Sequence, residues 1–118
     1  MTNARAKGRR NELRAFKELE ADGWIVEKAK MGSKFEKNKD FFHLFDLLAI
    51  KKIKRRTIIR WIQVKSNVCP KYVREAIRGF AETYFDKSNF AEVWVYKDRD
   101  GWQKYPMNHQ LTEIIFRI

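Results

Sequence analysis

The sequence predicts an α+β fold with a central mixed β-sheet flanked by helices. Three observations carry it. An amphipathic segment opens the chain, two long apolar runs rich in β-branched residues occupy the middle, and a second amphipathic segment separates them from a final pair of strand-like runs. The 118 residues fit one domain, 1–118, with room for a single core.

In the first segment, from about Asn3 to Ala21, Leu13, Phe16 and Leu19 recur at three-residue spacing with Arg and Lys on the other faces, which predicts a helix. "DGW" stops it, with Gly23 past the C-terminus, and "WIVEKAK" reads as a short strand. "MGSKFEKNKD" is polar and aperiodic and reads as a loop. "FFHLFDLLAIKK" and "RRTIIRWIQVK" read as an antiparallel hairpin closing around Ile53 to Arg56. Both are apolar enough to be covered on two faces. Pro70 sits at the start of a second helix whose stripe is Val73, Ile77, Phe80, Ala81 and Tyr84. "FAEVWVYKD", a turn at Asp100-Gly101 and "WQKY" complete the order α-β-β-β-α-β-β. "EIIFRI" is a further edge strand or a docking tail.

Composition narrows the class. Lys and Arg total 26 against 15 Asp and Glu, a net charge of +11, clustered at "RAKGRR", "KAK" and "KKIKRR". Such an excess points to a polyanion, nucleic acid ahead of any other. The single Cys69 excludes an intramolecular disulfide and has no zinc-site spacing, which suits a reducing cytosol. No apolar stretch is long enough to span a bilayer and no signal-peptide pattern opens the chain, so the expected location is cytoplasmic, in a prokaryotic or viral setting.

Within this frame four polar residues stand out. Glu12 lies on the helix face turned toward the sheet, either as a border carboxylate reaching solvent or as a site group. Asp46 interrupts an apolar strand, where Asp is poorly at home. Gln63 and Lys65 are two apart on the next strand and project from the same face. The hairpin predicts Asp46 opposite Lys65, so that two carboxylates, an amide and an ammonium converge at one end of the sheet.

The ordered combination of Gly8, Glu12, Gly23, Asp46 and Gln63-Val64-Lys65 resembles the PD-(D/E)xK nuclease superfamily and its restriction-endonuclease-like fold. "KGRRNELRAFKELEADGW" is similar to the opening helix of the archaeal-type, Hjc-like Holliday junction resolvases. The resemblance covers roughly Lys7 to Asn67. It implies an Mg²⁺-dependent endodeoxyribonuclease for four-way junctions or other branched DNA, working as a homodimer, with Mn²⁺ able to substitute. It further implies that Asp46, the Gln63 side-chain oxygen, the Val64 carbonyl and Glu12 hold the metal. Lys65 would then polarise the attacking water or stabilise developing phosphoryl charge.

Gln63 stands where the resolvases carry Glu, and Phe45 where the superfamily's name places Pro. Ser33 matches the resolvases' loop serine only loosely, and Asp40 and Glu36 are rival ligands. Arg9, Arg10, Lys28, Lys30, Ser33 and Lys34 flank the proposed site as DNA contacts or as a solvated face. Two other functions stay open: the same fold cutting another target, such as a nick, mismatch or transposon end, and a silent nucleic-acid-binding module in which Gln63 marks a lost metal site.

Overall fold

The computed structural model describes residues 4–29 and 40–109. Their order is α1 (Ala4–Ala21), β1 (Ile25–Lys28), β2 (Leu47–Ile53), β3 (Arg56–Ser66), α2 (Lys71–Tyr84), β4 (Asn89–Lys97) and β5 (Gly101–Pro106). This is the predicted α-β-β-β-α-β-β sequence. "EIIFRI" lies outside the described residues.

The buried line of α1 is Asn11, Ala15 and Leu19, with Phe16 packed beside it. Four-residue steps therefore carry the contact, and Leu13, expected in the stripe, is 52% exposed. The helix ends as predicted: the N–H of Trp24 donates to the carbonyl of Leu19, and Gly23 takes the left-handed backbone (φ 90°) that lets the chain reverse. Lys51 donates to the carbonyl of Asp22 at 2.7 Å, placing a cation at the negative end of the helix.

The five strands lie in chain order, β1-β2-β3-β4-β5, antiparallel except for the parallel pair β3·β4, which α2 bridges. The hairpin closes where expected, on Lys54 and Arg55, both at positive φ (47° and 72°). The strand expected from Phe41 begins only at Leu47. Residues 41–46 form a turn closed by a Phe41↔Phe45 bridge, with Phe42 and His43 also at positive φ. A second correction concerns β2, which is covered on one face only: Ile50 is 39% exposed, while β3, its hairpin partner, is buried on both faces.

Along β3, Ile58, Ile62 and Val64 pack under α1 with Trp24, Leu47, Ala49 and Trp94. Trp61 faces the other way, toward α2, Phe45 and Val93. One charged pair sits inside the first layer. Arg60 on β3 grips Glu92 on β4 through Nε and Nη2, each at 2.6 Å, and Trp94 Nε1 donates to the same carboxylate at 2.9 Å. The guanidinium lies over the Trp24 ring at 4.8 Å and near Trp94 at 5.5 Å, and both charged side chains are close to nine-tenths buried.

Breaking such a pair strands a charge, whereas replacing it whole does not. Glu92→Ala should therefore cost about 3–5 kcal/mol in urea unfolding, and Arg60→Met with Glu92→Met should restore most of that loss. Equal losses in both variants would mean that packing, not charge, carries the site.

Candidate functional site

The site arises from a mismatch in strand length. β2 has 7 residues and β3 has 11, so beyond the rung Leu47↔Ile62 the segment Gln63–Ser66 pairs with β4 alone. Asp46 fills the gap. Its N–H donates to the Ile62 carbonyl (2.9 Å), its carbonyl accepts from Ala29 (2.9 Å), and its Oδ2 accepts from the Val64 N–H at 2.7 Å. A carboxylate thus replaces the next rung of the ladder. In a strand the N–H and C=O of one residue face the same neighbour, so the Val64 carbonyl also looks toward this gap.

One step past Leu47↔Ile62, Asp46 stands across from Gln63 and not from Lys65 as the sequence predicts. The turn is centred where expected, between Lys54 and Arg55, and pairing counted out from that centre brings Asp46 to Gln63; the two-residue difference from Lys65 leaves the face unchanged.

Electrostatics concentrate here. Asp46 is 7% exposed, and burial, reinforced by the nearby charges of Asp40 and Glu12, pushes its carboxyl up to about 8 despite the Val64 N–H, which pulls the other way. Glu12, half-buried on α1, is also raised: burial and Asp40 raise it, while Lys28 and a hydrogen bond with Asp46 oppose them. Three carboxyls therefore share one neighbourhood, and Asp40, a rival ligand in the sequence, belongs to it.

Gln63 (5% exposed) and Val64 (7%) lie buried beside Asp46. Lys65 is partly buried and next along the strand, but its ammonium acts on the Cys69 thiol and is not among the groups that shift Asp46. Lys28 is exposed and reaches Glu12, whereas Arg9 and Arg10 are exposed on the first half of α1. Lys30, Ser33, Lys34 and Glu36 lie outside the described residues. Among the described residues no group of three or more His, Cys, Asp or Glu side chains gathers closely enough to hold a metal ion by itself. The hard oxygens of Asp46, Glu12 and Asp40 nonetheless suit a divalent cation, because opposite charge is what three crowded carboxyls need; the Gln63 amide and Val64 carbonyl would complete the set.

One positioning residue escapes the sequence reading. Asn11, fully buried, donates to Ser66 Oγ at 2.6 Å and accepts from Arg14 at 2.6 Å. It fastens α1 to the end of β3 that runs past β2, one residue from Glu12. The signal was present: Asn11, Ala15 and Leu19 are spaced by four, so the stripe runs through the asparagine.

No family model and no curated protein matches the chain. Its structure matches that of Archaeoglobus fulgidus Hjc, a Holliday junction resolvase from an archaeal hyperthermophile, with a TM-score of 0.55 and 19% identity over 85% of this chain and 77% of that one. The chain has the Hjc fold. The match reaches well past Asn67, so the resemblance seen in the first half of the sequence extends into the α2 and β4 half of the Hjc fold.

A carboxyl whose folded pKa lies above its unfolded value binds its proton more tightly when folded. Its contribution is then complete below the ordinary carboxylate range and is lost as pH rises through the folded value. In EDTA the wild type should lose stability between about pH 4 and pH 8. Asp46→Asn keeps an acceptor for Val64 and removes the titration. It should be the more stable protein at pH 8 and the equal of wild type near pH 4, as read by thermal unfolding; parallel curves would remove Asp46 as the titrating group.

Proposed function

We propose that the 118 residues act as one nuclease domain, a divalent-metal-dependent endonuclease hydrolysing phosphodiester bonds in branched DNA, most specifically a Holliday junction resolvase. The observation that carries this reading is the gathering of Glu12, Asp46 and the Gln63-Val64 edge at the end of β3 that runs past β2, on a fold shared with a resolvase. Asp46, the Gln63 oxygen, the Val64 carbonyl and Glu12 would hold Mg²⁺ or Mn²⁺. The bound cation would neutralise phosphate charge and supply hydroxide near neutral pH. Val64 N–H fixes the Asp46 carboxylate, Asn11 fixes the helix that carries Glu12, and Lys65 stands beyond Gln63 to meet phosphoryl charge. The net charge of +11 supports a DNA partner, with Lys28 acting on Glu12 and Arg9 and Arg10 exposed on the helix that carries it, and no described helix is long and apolar enough to cross a membrane.

A homodimer follows from the same reading, because two symmetric cuts need two sites. Its supporting surface is the aromatic face of Trp61, Phe80 and Phe85 with Phe42 (60% exposed) and Tyr84 (71%). A second reading, a non-cutting DNA-binding module, draws on Gln63 in place of a carboxylate and on the engagement of Lys65 with Cys69.

Cleavage of a labelled four-way junction beside matched duplex and single strand separates the two. Paired cuts in opposing strands, dependent on Mg²⁺ and lost in Asp46→Asn and Lys65→Ala, are expected. Tight junction binding with no cut under any divalent ion would transfer the assignment to the binding module.

A further inference from the structure

On the far side of Lys65 from Asp46, a cavity of about 320 Å³ opens between the start of α2 and the β4·β5 pair. Arg74 and Arg78, one helical turn apart, line it together with Lys97, Cys69 and Tyr105, over an apolar floor that includes Val95. Among the described residues no acidic side chain lines it. Asp98, next to Lys97 in the chain, is engaged by Lys7 and by Asn67, which itself lines the cavity.

Three cations facing one hollow repel one another, and one of them carries an unmet donor. The Nε of Arg74 is shut off from solvent and has no hydrogen-bond acceptor among the described residues. An anion in the hollow relieves the repulsion among the three cations. The cavity neighbours Lys65: Lys65 is the register partner of Val95, which lines it, and Lys65 and Arg74 both act electrostatically on the Cys69 thiol.

We propose that this cavity is an anion site for a backbone phosphate of the DNA strand, one that neighbours the phosphate at Lys65, with Arg74, Arg78 and Lys97 as its charge partners. The identity of the anion rests on the nuclease reading; the site itself does not. It extends the DNA track from the carboxyl cluster across the α2 side of the sheet, so that a strand is gripped on both sides of Lys65. Arginine suits the task, since its planar fork meets two phosphate oxygens at once.

The chain's single cysteine reports on occupancy directly, because it lines the cavity. Alkylation of Cys69 by iodoacetamide should slow several-fold when inorganic phosphate replaces chloride at constant ionic strength. Arg74→Gln with Arg78→Gln should abolish that ratio, each protein being compared with itself and its fold checked by thermal unfolding. Lys97→Gln, at the cavity rim, should weaken protection without touching the helix, and serves if the double variant unfolds. Phosphate protection that is absent in wild type, or unchanged in these variants, overturns the site.

For DNA, binding of a labelled junction is measured in an Asp46→Asn background with EDTA. Removing both arginines should weaken it about tenfold and lower the log-log salt slope by about 0.9 for the phosphate released. An unchanged slope with phosphate protection intact would overturn DNA as the source of the anion. Junction cutting without Cys69 protection would sink the site and leave the nuclease reading standing, and protection without cutting would do the reverse.

Discussion

The hydrogen bond from Val64 N–H to the Asp46 carboxylate is the point on which the candidate site turns. It exists because β3 outruns β2, leaving a backbone donor at a strand end with no carbonyl opposite. A buried N–H must be paired, and a short acidic side chain at the first residue before β2 is placed to do it. The same bond holds a carboxyl in a dry position that it would otherwise avoid, beside Glu12 and Asp40. Sheet construction and site construction are therefore one problem here, solved by one residue.

The second helix divides the surface in a comparable way. Ile77 centres its buried stripe. Arg74 and Arg78 run along one border and Phe80 and Tyr84 along the other. One amphipathic element thereby presents a cationic wall toward the end of β3 that carries Lys65 and an aromatic wall toward the turn that carries Phe42. The two surfaces are suited to different chemistry and lie on either side of one core.

Much of this was legible in the sequence because it depends on periodicity and punctuation. The helices, the hairpin turn and the strand order follow from apolar spacing, Gly23 and Pro70. The stretch from Phe41 to Asp46 was not, since an apolar run reads alike whether it pairs as a strand or folds into an aromatic turn; side chains packing on Trp61 and Phe80 settle it. Opposition of Asp46 to Gln63 follows from the expected turn only when the pairing is counted out residue by residue, because a two-residue difference leaves the face pattern intact. Asn11 shows only in the four-residue spacing with Ala15 and Leu19, since an amide is not itself apolar, and its partner Ser66 lies 55 residues away.

That insensitivity to two-residue shifts gives the Arg60 and Glu92 pair a meaning beyond its contribution to stability. If β4 slid along β3 by two positions, every apolar side chain would still land on its own face, and hydrophobic patterning would raise no objection. The guanidinium and carboxylate would be separated inside the protein, at a cost of about 3–5 kcal/mol. The pair acts as a key in a lock cut for one alignment, discriminating against misthreaded but otherwise well-packed arrangements. Because Lys65 takes its position beside the cavity from that alignment, the accuracy of the phosphate track is enforced from the opposite face of the sheet.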